Sequence, residues 1–289
     1  MFLQLLLTGV ALGSMYALVA IGYHITYATS RTVNFSQGDS VMVGAVLAYT
    51  CVVRWGWPFW PALTLTLLAL AVYGLAVERI AVRPFFRASS IAWLMSTIAV
   101  GIIAENVALL FFGTDARTFP SRFTEHPIFI GGAGVYPQEL LIPGVGLLVM
   151  IGLRVFFQQS LLGKGWRAVA FDPVSASLMG INVTRTIAAS YALSTTLAGL
   201  AGILLAPIIN VSATMGVVIG LKAFAVAILG GLEGSGGIIL AGLGYGILEA
   251  FIAGYISTAL RDIVGFALVI LVLAIRPAGL FGTHGIQKV

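Results

Sequence analysis

Charge is scarce in this chain: Asp, Glu, Lys and Arg make up 9% of its 289 residues, against about 25% in ordinary soluble domains. With 60% hydrophobic residues and a mean hydropathy of +1.06, there is too little polar side chain to cover a soluble globule. The surplus apolar surface belongs against lipid. Cysteine is nearly absent. Cys51 stands alone, which excludes an internal disulfide and a Cys/His metal framework, and reads as a small residue within an apolar run. The Walker A spacing is missing, so the chain is not expected to hydrolyse ATP itself. H-E-x-x-H and G-x-S-x-G are missing too, and His24, His126 and His284 fall in three distant segments, so nothing supports an enzyme or a metal site. No basic residue precedes Arg31. The first apolar run therefore lacks the positive start of a signal peptide and is expected to remain as a true span.

Acids are outnumbered by bases, 10 to 15, and the pI is about 9.6. The bases form no stripe. They collect in short loops between apolar runs, as topology signals do, and no nucleic-acid partner is expected.

What the chain does have is long apolar runs: 2–28, 38–53, 59–77, 90–112, 138–157, 186–209, 217–232, 238–256 and 263–275. These predict an all-α polytopic membrane protein of about eight or nine spans, a single transmembrane domain over 1–289. The basic clusters at 79–87 (Arg79, Arg83, Arg87), at 154–185 and in the tail (Arg276, Lys288) place those segments in the cytoplasm. The polar, Gly- and Pro-containing 113–137 becomes an external loop and the N-terminus lies outside. Trp55, Trp57 and Trp60 mark an aromatic belt. Gly9 and Gly13 have the spacing that lets membrane helices approach closely. The runs 38–53 and 217–232 are short and glycine-flanked, one in each half, a pattern expected of a transporter built from two pseudo-repeats with broken helices.

Ionisable groups inside apolar runs are candidates for function. Asp39, Glu105, Lys222 and Glu249 are four such residues. Glu105 and Glu249 read either as proton relays or as interior groups hydrogen-bonded to neighbouring helices. The stretch Asn34, Phe35, Ser36, Gln37, Gly38, Asp39 is polar between apolar runs. It reads either as the unwound entry to a half-helix lining a pathway or as a cytoplasmic turn. The segment 163–182 is too polar to span and too apolar for a solvated loop. Asp172 as N-cap and Pro173 in the first turn predict a helix of barely two turns, ended by Gly180 or Asn182. It presents Val174, Leu178 and Met179, and being too short to order itself it needs a partner surface or lipid headgroups.

These segments carry a resemblance. The run 167–182, with Arg167, Asp172 and Gly180, resembles the coupling-helix region of permeases in the branched-chain (hydrophobic) amino acid ABC importer family. The motifs at 33–39, at 220–231 (Gly220, Lys222, Phe224, Gly230, Gly231) and at 276–282 are similar to that family's in the same order, and the chain most resembles the shorter of its two paired permeases. Glu233 before Gly-Ser-Gly-Gly is unusual for it. The resemblance implies a non-enzymatic bacterial inner-membrane subunit that passes a small solute, such as a branched-chain amino acid, by alternating access. Its implied partners are a second homologous permease, two cytoplasmic ATPase subunits carrying ATP and Mg, and a periplasmic binding protein. It implies no cofactor or metal on this chain. It implies coupling through Arg167, Asp172, Pro173, Val174, Leu178, Met179 and Gly180. Asn34, Phe35, Gln37, Asp39, Lys222, Phe224, Glu105 and Glu249 are candidates for the pathway. The rival reading is a self-contained proton-coupled carrier using Glu105 or Glu249. The particular solute is beyond the sequence.

Overall fold

Twenty-nine residues without Pro, Asn or Asp, from Phe2 to Ser30, form the longest helix, α1. In lipid such a stretch satisfies its backbone polar groups internally, which is what spanning requires. The computed structural model describes residues 1–85, 91–130, 132–232, 234–277 and 279–282. Arg87, Glu233, Ala278 and Lys288, used above as topology or motif markers, lie outside the described residues.

The remaining helices are α2 (Gln37–Tyr49), α3 (Phe59–Val77), α4 (Ala92–Phe112), α5 (Pro137–Gln159), α6 (Leu161–Phe171), α7 (Pro173–Leu178), α8 (Val183–Ile209), α9 (Met215–Gly230), α10 (Ser235–Tyr255) and α11 (Leu260–Ile275). π-helical turns extend α2 over Thr50–Arg54 and α3 over Glu78–Val82. The all-helical expectation holds. Six of the described helices are long and apolar enough to cross a membrane: α1, α3, α4, α5, α8 and α10. The segment 113–137 folds as a small antiparallel hairpin, Ile128–Ile130 with Ala133–Val135. It is pinned to the end of α8 by backbone bonds between Arg117 and Val211.

The core is a seam of glycines. Without a hydrophobic drive between helices in lipid, close van der Waals approach holds them together, and only small residues allow it. Gly9 and Gly13 of α1 face Gly242 and Gly246 of α10. A Cβ on Gly13 would lie 2.6 Å from the Gly242 carbonyl oxygen and 2.7 Å from Leu243 Cα. Gly74 of α3 backs onto α8 at Tyr191, and Gly44 of α2 backs onto Gly199 of α8. Replacing Gly13 with Val should therefore destabilise the protein by about 1–3 kcal/mol or more, read as a lower melting temperature in detergent. Gly144→Ala on α5, where an added Cβ meets nothing within 4 Å, should be neutral or slightly stabilising. Equal losses from the two substitutions would refute the seam.

The two short helices meet. A Cβ on Gly38 would sit 2.8 Å from Gly220 Cα, and one on Gly216 would sit 2.7 Å from the Gly38 carbonyl oxygen. The first turns of α2 and α9 thus cross with their backbones in contact, in the middle of the bundle.

Candidate functional site

The chain enters α2 through a reversal. α1 ends with Arg31 in the left-handed region, φ 54°, its N–H bonded to the Tyr27 carbonyl. This helix cap turns the chain back. Residues 32–36 then run unwound through the protein interior, where every backbone and side-chain polar group needs a partner. Asn34, Ser36 and Gln37 are fully buried. Asn34 Oδ1 accepts from the Ser36 N–H at 3.2 Å and hydroxyl at 3.1 Å. Gln37 donates to the Ser194 carbonyl at 3.1 Å, and its Oε1 lies 2.9 Å from the Ser194 hydroxyl. Thr32 and Tyr191 share a hydroxyl pair at 2.8 Å. The Phe35 N–H donates to Thr97 of α4 at 3.4 Å. The sequence motif is a knot of side-chain bonds that holds an unwound strand inside the bundle.

Phe35 packs on Phe224 of α9 with ring centres 5.2 Å apart, and Phe224 packs on Tyr23 of α1 at 5.4 Å. Tyr23 in turn donates to the Gly220 carbonyl at 3.2 Å. Asp39, 8% exposed, directs its carboxylate against Gly101 of α4. Glu105 lies one turn further along α4 and is half-buried. Asn34, Gln37, Phe35, Phe224, Asp39 and Glu105 are therefore gathered around the α2–α9 crossing and its α4 flank.

Lys222 and Glu249 stand apart from that group and bind each other. Lys222 Nζ is 2.6 Å from Glu249 Oε1 and 2.7 Å from Asp262 Oδ1. Arg261 Nε is 3.0 Å from the same Glu249 oxygen and 3.4 Å from Asp262. Two cations and two anions thus tie α9, α10 and α11, with Lys222 and Glu249 each 2% exposed. Glu249 Oε2 and the Tyr245 hydroxyl have no hydrogen-bond partner among the described residues. Arg261 and Asp262 sit in the first turn of α11 and fold back onto this network. Arg261–Asp262 was the signal that could have revealed it.

At the end of α5 the structure places two helices where the sequence predicts one. α6 precedes α7 because Ser160 caps it, accepting from the Gly163 N–H at 2.9 Å, and because Trp166 and Val169 are buried on one face. Trp166 packs edge-to-face on Phe156 and at a tilt on Phe157 of α5, each with ring centres 5.4 Å apart. The close pass of α6 over α5 is set by Gly163, where a Cβ would lie 2.6 Å from Phe157 Cα. α7 follows as expected from Asp172 and Pro173. Asp172 Oδ1 accepts from the Val174 N–H at 2.9 Å and its other oxygen accepts from the Ser175 hydroxyl. The Ser175 hydroxyl and the Val174 N–H hold the Asp172 carboxyl below the usual carboxylate range. Gly180, φ 83°, ends α7, while Asn182 caps the next helix by accepting from the Arg185 N–H. Ala176 is buried against the body of the protein, and Val174, Leu178 and Met179 are 69%, 82% and 83% exposed. Arg167 is exposed on α6. Among the described residues, no group of three His, Cys, Asp or Glu is placed to hold a metal ion.

An apolar bundle of membrane-length helices, interrupted at its centre by a buried polar break and carrying a bare two-helix appendage at one end, is a multi-pass membrane transport permease. The chain belongs to the family of branched-chain amino acid transport system permease components, whose pattern matches residues 5–273. It is 34% identical to the high-affinity branched-chain amino acid transport system permease protein LivH of Escherichia coli, covering 100% of this chain and 98% of that protein. It is 33% identical to the corresponding permease protein BraD of Pseudomonas aeruginosa, with the same coverage. Among solved structures, PsaBC from Streptococcus pneumoniae in complex with Fab aligns over 93% of this chain and 90% of that one, with a TM-score of 0.49 and 17% identity.

Proposed function

We propose that this permease is the membrane-spanning subunit of an ATP-driven importer in a bacterial inner membrane. It takes a small hydrophobic solute, of the branched-chain amino acid class, from a periplasmic binding protein and releases it to the cytoplasm. The pore is formed with a second homologous permease, and ATP and Mg are bound by two separate cytoplasmic ATPase subunits. The observation that carries this reading is α7: a capped two-turn helix, anchored by Ala176, that leaves Val174, Leu178 and Met179 bare. Such a face calls for a groove on a partner.

The reading includes nine crossings arranged as two inverted halves. α2, α9 and α11 would complete the six longer spans. Exchanging α1, α2 and α3 for α8, α9 and α10 turns the α1–α10 packing into α8–α3 packing and returns the α2–α9 crossing to itself. Paired short helices at a repeat interface are where transporters place their pathway. This favours the group around Asp39, Phe35, Phe224 and Glu105 over Lys222 and Glu249.

A self-contained proton-coupled carrier is the less favoured reading, because Glu249 is held by Lys222 and Arg261 instead of facing another carboxylate. The chain alone in liposomes should show no uptake under a proton gradient. The complex with its permease, ATPase and binding-protein partners should hydrolyse ATP several-fold faster when loaded binding protein is added. Gradient-driven uptake by the lone chain, lost in Glu105→Gln, would overturn the proposal.

A further inference from the structure

A cleft of about 760 Å³ opens between α1, α5, α6 and α10, at the end of the bundle that carries α6 and α7. Its walls are apolar, built from Ile25, Leu147, Met150, Phe157 and Ile239. Its rim carries Arg154 and Arg167, and among the described residues no acid lines it. Both arginines are exposed, and among the described residues neither has an ion pair or hydrogen bond. The pathway group and the ion network lie elsewhere and use none of these residues. His24 also lines the cleft. Its Nδ1 is 2.6 Å from the Leu232 carbonyl oxygen, which assigns the proton to that nitrogen and leaves the other ring nitrogen able to accept.

Apolar walls beneath a pair of unpaired cations match one chemistry, an amphiphile with an anionic head. The neighbouring surface continues the match. Leu161 and Leu162 at the start of α6 are 86% and 74% exposed, which suits the acyl region of a bilayer and not water. Basic clefts between membrane helices on the cytoplasmic side take the headgroups of anionic lipids, which enrich that leaflet. We propose that this cleft is a binding site for an anionic phospholipid, its phosphate held between Arg154 and Arg167 and an acyl chain laid along Ile25, Met150 and Phe157. The proposal rests on the placement of α6 and α7 at the cytoplasmic face. A lipid seated there touches α5 and α6 together, and so bears on the element that leads to α7.

The test uses the full-length chain in its assembled complex, extracted in detergent, with phosphatidylglycerol and phosphatidylcholine as probes and retained lipid read by native mass spectrometry. The complex should keep phosphatidylglycerol in preference to phosphatidylcholine. Arg154→Gln with Arg167→Gln should weaken that retention by roughly 25-fold, about fivefold for each cation. Arg154→Lys with Arg167→Lys should preserve it, and so should Arg185→Gln, an exposed arginine outside the cleft. Equal retention of the two lipids overturns the proposal, as does a loss in Arg185→Gln matching that of the double Gln variant. A disulfide formed between a cysteine at Gln158 and the second permease would do the same, because a protein helix would then fill the cleft. Labelling of a cysteine at Ser175 from outside the cell would overturn the leaflet assignment and the proposal with it. Substrate-stimulated ATP hydrolysis reads the transport assignment separately, so failure of either can be told from failure of the other.

Discussion

Replacing Leu178 with Asp should leave the permease folded and inserted and abolish the stimulation of ATP hydrolysis by substrate. α7 is fixed from below by Ala176 and at its start by the Asp172 cap, and Leu178 is 82% exposed, so the side chain contributes almost nothing to the fold. In the assembled importer that same side chain is expected to fill an ATPase groove. Burying one leucine contributes roughly 1.5–3 kcal/mol, so its loss weakens docking by about one to two orders of magnitude. Placing a charge in the groove adds a desolvation cost on top. Yield and melting temperature should match the unsubstituted protein, while co-purified ATPase and coupled uptake fall together. Full transport by the Leu178→Asp complex would make α7 a helix resting on lipid headgroups instead.

The second large effect is expected at Lys222. Lys222→Met removes the ammonium that sits 2.6 Å from Glu249 and 2.7 Å from Asp262, leaving two carboxylates beside a single arginine. Breaking a buried ion pair from one side costs about 3–5 kcal/mol, because the remaining charge is stranded. Much of that should return in Lys222→Met with Glu249→Leu. Arg261 and Asp262 then still pair with each other, and apolar replacements of a buried pair are often neutral. The sign of this rescue identifies the role of the network. A structural tie predicts a stable double variant that transports. A double variant that is stable but inactive would put Lys222 and Glu249 in the solute's path.

Hydropathy made the long helices legible. α3, α4, α8 and α10 begin or end within a few residues of their apolar runs, since in lipid the run and the helix are set by the same requirement. The short runs were legible as unusual, and the structure adds that Gly38, Gly216 and Gly220 bring them into contact. Other features were not legible. α6 was hidden because Gly163, Lys164, Gly165 and Arg167 dilute its apolar face to Trp166 and Val169, three residues apart. Lys222 and Glu249 each drew attention, but nothing in a single sequence says that residues 27 positions apart on different helices share one ion pair. Asn34 and Gln37 showed themselves as polar residues in an apolar setting. Their use as internal ties is set by the fold: Asn34 holds Ser36, and Gln37 holds Ser194 of the distant α8.

The glycine seam between α1 and α10 also has a mechanical meaning. Two rods packed with no clearance for a methyl group cannot slide along each other without driving carbonyl oxygens into backbone, so the pair acts as a keyed joint and moves as one piece. α5 is different. It buries only Gln138, Ile142 and Gly146, all in its first half, and its far half is gripped chiefly by α6 through Trp166 and the close pass at Gly163. A push delivered to α7 therefore arrives at the free end of a rod whose other end is clamped. The permease has the layout of a lever mounted on a stiff spine, with its pivot near Ile142 and its handle at α7.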